Sequence, residues 1–132
     1  MDTSSIELPG SEVESLTLSE GGVVIIRFSR AYIIKTMTGS SERTRWWQVG
    51  DLEFYDAAIE GDCPDFPRVC TGGDLTENIY TYRDMVPIPL ASRGRAHCNL
   101  GFEGSERRLV ITAGGVKLQM EDRPRYIEHF RC

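Results

Sequence analysis

The fold is decided by residues Arg95–Glu121, which read RAHCNLGFEGSERRLVITAGGVKLQME. Two pairs of turn-forming residues, Gly104-Ser105 and Gly114-Gly115, divide this stretch into three runs in which apolar and polar residues alternate. Alternation with a period of two is typical of a strand with one buried face, and glycine accepts the positive φ that two-residue hairpin turns require. The stretch therefore predicts a three-stranded antiparallel meander at the C-terminal end of the domain.

The register of this meander follows from its two turns. Across Gly104-Ser105 the partners are all apolar: Leu100 with Leu109, Cys98 with Ile111, and Ala96 with Ala113. Across Gly114-Gly115 they are apolar again: Ala113 with Val116, Ile111 with Leu118, and Leu109 with Met120. Both turns place the same side of the middle strand inside, and this agreement makes the prediction specific.

Two irregular strands are expected nearer the N-terminus. The run Val24–Ile34 alternates like a long strand, but Arg30 falls on its apolar face, which predicts a bulge near Ser29–Ala31. A one-residue slip of the apolar pattern around Tyr55–Asp56 predicts a second bulge.

The remaining pattern is also that of short strands and turns. Glycine-containing turns are expected at Gly50-Asp51 and Gly72-Gly73, and Pro87 and Pro89 should keep Met85–Leu90 extended but unable to sit inside a sheet. Further short strands are predicted at Val13–Leu18, Trp46–Val49, Arg68–Thr71 and Ile79–Arg83. Eight or nine short strands predict an all-β antiparallel β-sandwich, with a small closed β-barrel as the alternative.

Length and composition predict one domain in the cytoplasm. The chain has 132 residues, 40% of them hydrophobic and 27% charged, which suits a single core. We expect residues 1–10 to form a flexible N-terminal arm and residues 11–132 the domain. The arm has no Lys or Arg and so does not resemble a signal peptide. Free thiols are expected in the cytoplasm, and whether Cys63 and Cys70 are bridged stays open.

The charges are unevenly distributed along the chain. The net charge is −5, which argues against a surface that binds nucleic acid or an anionic membrane as a whole. Residues 1–66 nevertheless carry 5 basic and 12 acidic groups, whereas residues 67–132 carry 10 and 8. Thirteen of the 15 basic residues are Arg. Eight of these arginines are expected at strand ends and turns, namely Arg43, Arg45, Arg68, Arg83, Arg93, Arg95, Arg107 and Arg108. There their guanidinium groups can pair with carboxylates, which we favour, or form a small cationic patch.

A tryptophan pair is the first candidate binding site. Adjacent side chains of a strand point to opposite faces, so only one of Trp46 and Trp47 is expected to enter the core. The other is either buried under a loop or exposed as a platform for a ligand or partner. Arg43 and Arg45 would then join the site through cation–π contacts.

A second candidate site is the polar and aromatic cluster Tyr80, Tyr82, Arg83 and Asp84. We favour a structural role in which Asp84 accepts hydrogen bonds from backbone N–H groups, with binding of an anionic or aromatic ligand as the alternative. His97 is expected on a solvated outer face beside Thr112 and Lys117, and no catalytic residue is assigned. His129 and Cys132 alone make a weak metal pair, so neither a metal nor a cofactor is expected.

These features favour a cytoplasmic binding or interaction module without catalysis, since nucleotide-binding, zinc-protease and hydrolase motifs are absent from the sequence. Its partner would be a protein or a small molecule, and an exposed sheet edge would allow a homodimer by strand addition. Nucleic acid and membrane are not expected as partners. One alternative is a small barrel enzyme or small-ligand binder with a pocket near Tyr80–Asp84. Another is an OB-like binder of single-stranded nucleic acid.

Overall fold

The computed structural model describes residues 3–36 and 42–131. Within these ranges the chain forms nine strands and no helix, so the described part contains no helix that could cross a membrane. The strands are β1 (Thr3–Leu18), β2 (Val24–Thr36), β3 (Glu42–Tyr55), β4 (Ala58–Glu60), β5 (Arg68–Glu77), β6 (Tyr80–Arg83), β7 (Met85–Ile88), β8 (Ala91–Phe102) and β9 (Leu109–Arg131). The prediction of an all-β antiparallel fold is confirmed.

Six of the strands close into a ring in the order β5-β8-β9-β3-β2-β1. The ring closes where β1 meets β5, through Glu12 opposite Val69 and Val13 opposite Arg68. Strand β6 pairs with β5, β7 pairs with β1, and β4 pairs with β9. The ring is not evenly round an axis, and it fits both the sandwich and the barrel description. Closure leaves the edges of the sheet to the short strands β4, β6 and β7 in the described part of the chain.

One continuous hydrophobic cluster fills the interior of the ring. Its largest fully buried side chains include Phe28, Phe54 and Leu100, contributed by β2, β3 and β8. Alternate residues of each strand supply this core, as the period-two pattern predicts. Fully burying one such aliphatic or aromatic side chain stabilises the fold by roughly 1.5–3 kcal/mol.

The first predicted hairpin of the C-terminal region is confirmed. Strands β8 and β9 pair in the predicted register: Leu100 with Leu109, Cys98 with Ile111, and Ala96 with Ala113. The connection is longer than a two-residue turn, because β8 ends at Phe102 and β9 begins at Leu109. The apolar pattern therefore determined the register even though the loop length was underestimated.

The second predicted hairpin, and with it the third strand of the meander, is wrong. Strand β9 runs straight through Gly114-Gly115, and Val116 pairs with Phe54 of β3 and with Ser92 of β8. At the two glycines the buried side of β9 changes from odd-numbered to even-numbered residues. A two-residue turn would give the same apolar pattern, so the sequence alone could not separate the two structures.

The same change of face occurs in the neighbouring chain segment at Asp56. The phase slip predicted there is confirmed, but the predicted extra residue is not present. Tyr55 pairs with Gly115 and Ala58 with Thr112, so the ladder along β9 keeps its register. The strand is instead interrupted at Asp56, which has a φ of 49°.

The bulge predicted in β2 is confirmed. Phe28 pairs with Gly50 and Ala31 with Gln48, so two residues of β2 face one residue of β3 in the interval between these pairs. Phe28 and Ala31 are both buried, whereas Arg30 is exposed. The bulge thus removes Arg30 from the apolar face without interrupting the strand.

The first ten residues include the beginning of a strand, and the predicted flexible arm is wrong for its described part. Ile6 and Leu8 of β1 have no exposed surface, because they alternate into the core. Ile6 pairs with Ile33 of β2 on one side and with Val86 of β7 on the other. Strand β7 forms despite Pro87 because it lies at the outside of the sheet, where a missing N–H is tolerated.

The turns predicted at Gly50-Asp51 and Gly72-Gly73 are not formed, because both pairs lie inside strands. A Cβ atom on Gly50 would stand 2.7 Å from Sδ of Met120, and one on Gly73 would stand 2.1 Å from the carbonyl oxygen of Asn99. These glycines therefore allow close approach of a neighbouring strand.

Candidate interaction surface around Trp46 and Trp47

The tryptophan pair lies where β2, β3 and β9 run side by side. Trp46 pairs with Ile33 and Trp47 with Tyr32, so the two indoles point to opposite faces of the sheet, as predicted. Neither indole belongs to the central hydrophobic cluster, and both are half-buried. The expectation that one of them would enter the core is therefore wrong.

The reason lies in a cross-strand row of side chains on the Trp46 side of the sheet. Neighbours along this row pair directly, in the order Val86, Ile6, Ile33, Trp46 and Tyr126. Val86, Ile6 and Ile33 are buried, whereas Tyr126 is 55% exposed. Trp46 thus stands at the border between the core and the surface, where a half-buried indole is expected.

Trp46 is engaged by its own chain. Its Nε1–H donates a hydrogen bond to Oγ1 of Thr44 at 2.8 Å. The ammonium group of Lys35 lies 4.4 Å from the ring centre, and the ring of Tyr126 meets the indole edge-on with centroids 5.2 Å apart. A cation over an indole stabilises by about 0.5–1 kcal/mol at an exposed site. The polar N–H of Trp46 is thus satisfied within the chain.

The opposite side carries what we call the Trp47 face, which consists of Trp47, Tyr32, Arg30 and Arg125. The guanidinium carbons of Arg30 and Arg125 lie 4.9 and 5.3 Å from the centre of the Trp47 ring. Among the described residues neither arginine forms an ion pair with a carboxylate. Two guanidinium groups that form no ion pair are therefore held on one indole, and Glu12 lies opposite Arg30 in the ladder between β1 and β2.

The Trp47 face borders a depression of about 450 Å³. Tyr32, Trp47 and Arg30 line it together with Glu12 and Ser29. The Glu12 carboxylate accepts a hydrogen bond of 2.6 Å from the hydroxyl of Ser29. Aromatic rings and a guanidinium group around such a space suit a partner that presents a carboxylate beside an apolar surface.

The arginines predicted to support the tryptophan site have different surroundings. Arg45 forms ion pairs with Glu7 and with Glu128, the latter at 3.8 Å, and its guanidinium carbon lies 5.2 Å from the centre of the Tyr32 ring. Arg45 therefore ties β1, β3 and β9 together. Arg43 is exposed and lines another depression, of about 270 Å³.

The predicted cluster from Tyr80 to Asp84 is not brought together with the tryptophans. Tyr80, Tyr82 and Arg83 lie on β6, which pairs only with β5. Asp84 follows β6, and its Oδ1 accepts a hydrogen bond of 2.9 Å from the backbone N–H of Gly73. This is the structural role that we favoured for Asp84. Asp84 also borders the depression lined by Arg43.

A wider depression of about 640 Å³ lies over the two glycines of β9. Arg93, Lys117 and Asp56 line it, and Glu53 lies opposite Lys117 in the ladder. Tyr55 also lines the depression, and no described cation lies over its ring. The depression therefore lacks the pairing of guanidinium groups with an aromatic ring that distinguishes the Trp47 face.

Most of the arginines predicted at strand ends are not paired internally. Of the eight considered, only Arg45 and Arg68 form ion pairs in the described part of the chain, and Arg68 does so with Asp65. The other six are Arg43, Arg83, Arg93, Arg95, Arg107 and Arg108. The preference for internal pairing was thus wrong for these six, which leaves cationic groups at the surface.

The histidines and cysteines show no metal-binding arrangement in the described residues, where no three His, Cys, Asp or Glu side chains form a potential metal site. His97 lies opposite Thr112 as predicted, but Lys117 is not in that row, because the second turn is absent. His129 contacts Glu42 at 3.5 Å, and Cys132 lies outside the described residues. The weak metal pair of His129 and Cys132 considered from the sequence therefore lies partly outside the described residues.

The described thiols are free, and two of them are buried. Cys63, Cys70 and Cys98 form no disulfide. Burial raises the pKa of the Cys70 thiol to about 11, and it raises the pKa of Cys98 further. Both thiols are therefore protonated at neutral pH, and a protonated thiol is a poor nucleophile.

Several residues of the surface were not found from the sequence. They are Arg30, Tyr32, Lys35, Arg125 and Tyr126, which come from β2 and β9 and meet the tryptophans of β3 across the ladders. Gln48 was missed as well. Its side-chain amide is nearly buried and donates hydrogen bonds of 3.1 Å to the backbone carbonyls of Glu121 and Asp122. Only the register of β3 with its neighbours would have identified these contacts.

No protein family, curated protein or solved structure matches the chain.

Proposed function

We propose that the protein is a cytoplasmic binding module without catalysis, and that the Trp47 face is its contact surface for an acidic partner. The partner would place a carboxylate on Arg30 and Arg125 and apolar atoms against Trp47 and Tyr32. The filled interior of the ring supports recognition at the surface over chemistry in an enclosed pocket.

One observation carries the proposal: two guanidinium groups lie over one indole and have no carboxylate partner among the described residues. Arg45, a short distance along β3, is compensated by Glu7 and Glu128. A guanidinium group binds a carboxylate with two parallel hydrogen bonds, and an aromatic surface beside it excludes water. Tryptophan and arginine are also the residues that most often dominate binding energy at protein interfaces.

The comparison of the two tryptophans favours Trp47. The Trp46 indole donates its N–H to Thr44, and the cation beside it is a single lysine. Lysine is a flexible point charge, whereas arginine presents a planar group with fixed donor geometry. Trp46 therefore suits a structural role at the border of the core.

The free thiols support a reducing compartment. Cys70 and Cys98 are buried and Cys63 is half-buried, and all three are unbridged. Unpaired cysteines of this kind are usual in cytoplasmic proteins, where disulfides are rare.

The proposal is tested by quantitative capture of partners with the purified full chain as bait. Wild type is compared with Trp47→Ala, with Trp46→Ala as the matched control, and with the double variant Arg30→Gln/Arg125→Gln. We expect the two changes on the Trp47 face to reduce the captured partner by roughly tenfold or more, as for an interface hot spot. The Trp46 variant should retain it.

Circular dichroism and urea unfolding show whether each variant keeps its fold. The double arginine variant removes only surface charge, so it provides a test even if Trp47→Ala is unstable. Equal capture by wild type and the double variant would contradict the proposal, and so would loss of capture confined to Trp46→Ala.

A further inference from the structure

The hairpin of β5 and β6 exposes an apolar tip at the opposite end of β5 from Val69, which lines the depression beside the Trp47 face. Glu77 pairs with Tyr80, so Asn78 and Ile79 form a two-residue turn. Ile79 is 87% exposed, more than any other large hydrophobic side chain described, and Tyr80 next to it is 59% exposed. Isolated apolar side chains at a surface are common, but adjacent ones at the end of a turn form a protrusion.

The turn is hydrogen-bonded to the neighbouring strand. The backbone N–H of Asn78 donates a hydrogen bond of 2.8 Å to the carbonyl oxygen of Arg95. The side-chain amide of Asn78 donates another, of 3.2 Å, to the hydroxyl of Ser92. These bonds tie the turn to β8 while Ile79 remains exposed to solvent.

Basic side chains lie beside the tip of the hairpin. Arg93 and Arg95 are exposed, and neither forms an ion pair with a described carboxylate. Glu77 is the one acidic residue between Leu75 and Tyr82, and it is half-buried at the base of the hairpin. The exposed charge beside the tip is therefore positive, although the protein as a whole carries −5.

We propose that this tip, formed by Ile79 and Tyr80 with Arg93 and Arg95, is a peripheral binding site for an anionic lipid bilayer. A convex tip inserts its apolar side chain among the lipid headgroups, where tyrosine is also favoured. The arginines remain at the level of the headgroups and are attracted by the negative surface of the cytoplasmic leaflet. The tip favours a bilayer over a protein partner, since interface hot spots lie near the centre of an interface and are surrounded by contacts that exclude water, whereas this tip presents two apolar side chains at the end of a turn.

Vesicle co-sedimentation of the full chain tests the proposal. The probes are vesicles of phosphatidylcholine alone and of phosphatidylcholine with phosphatidylserine. Wild type should bind the mixed vesicles more strongly, and Ile79→Ser should lower the partition coefficient roughly tenfold or more. Ile79→Trp should raise it. The matched control is Leu18→Ser, because Leu18 is 60% exposed elsewhere on the surface and should have no effect.

The electrostatic part is tested by Arg93→Gln/Arg95→Gln. Each lost charge should lower partition roughly fivefold, and added salt should reduce wild-type binding in the same way. The proposal fails if wild type does not bind the mixed vesicles, or if Ile79→Ser binds as well as wild type. Equal losses in Ile79→Ser and Leu18→Ser would also overturn it. None of these variants touches the Trp47 face, so the outcome is independent of the proposed function.

Discussion

Replacing Gly73 with Ala should destabilise the protein strongly, because this glycine lies inside β5 and not in a surface turn. Its φ is 151°, and a Cβ atom there would stand 2.1 Å from the carbonyl oxygen of Asn99 and 2.8 Å from Cα of Leu100. Both are backbone atoms of β8, so no side-chain rotation can relieve the overlap.

The magnitude follows from two costs. An L-residue in the left-handed region costs roughly 1–2 kcal/mol. Separating β5 from β8 weakens ladder hydrogen bonds, and a buried donor or acceptor left without its partner costs roughly 1–3 kcal/mol. Together they predict a loss of about 2–5 kcal/mol, a large share of the 5–15 kcal/mol typical of a folded domain.

Urea unfolding followed by tryptophan fluorescence measures this loss. The control is Gly21→Ala, because a Cβ atom on Gly21 meets no atom within 4 Å, and its unfolding free energy should stay within about 0.5 kcal/mol of wild type. The slope of unfolding free energy against urea should be unchanged in both variants. A loss below about 1 kcal/mol for Gly73→Ala would refute the reasoning, since an exposed turn would give that result.

Three further predictions concern a buried amide, an ion pair and the thiols. Gln48→Leu should cost about 1–3 kcal/mol in urea unfolding, because it leaves two carbonyl oxygens without donors; a neutral result would contradict this role. Hydrogen bonding to Arg27 lowers the pKa of Glu121 below its ordinary 4.5, so this contribution to stability is present above pH 4.5 and is lost as pH falls through the lower folded value. The stability difference between wild type and Arg27→Gln should therefore shrink on acidification, and a difference independent of pH would count against it. Iodoacetamide should label Cys63 and spare Cys70 in the native protein, as peptide mass mapping can check, because burial raises the pKa of Cys70 to about 11. Rapid labelling of Cys70 would show that its environment is not the one described.

The local alternation of apolar and polar residues was sufficient to predict the register where one turn joins two neighbouring strands. The apolar partners across the turn at Gly104 appear in the structure as predicted, because the connection is short and both strands bury one face. The pattern failed at Gly114-Gly115, where a continuous strand exchanges its buried and exposed sides. To distinguish a hairpin turn from a continuous strand at Gly114-Gly115, one must know which strands lie on either side of β9. The pairing of strands around the whole ring determines that.

The candidate surface was predictable only in part, for a similar reason. Period-two geometry placed Trp46 and Trp47 on opposite faces, because this depends on neighbouring residues alone. The cations beside them come from other strands, such as Arg125 of β9, and their positions depend on the register between strands. The bulge in β2 was predicted, but the placement of Arg30 beside an indole could not be deduced from it.

Nuclear magnetic resonance can show directly that Trp47, and not Trp46, contacts the partner. The chain contains only two tryptophans, so the ¹⁵N-labelled protein gives two indole N–H signals, which Trp46→Phe assigns. The captured partner is then titrated into the labelled full chain. We expect the Trp47 signal to shift or broaden while the Trp46 signal stays in place. A shift confined to Trp46, or no shift of either signal on binding, would contradict this expectation.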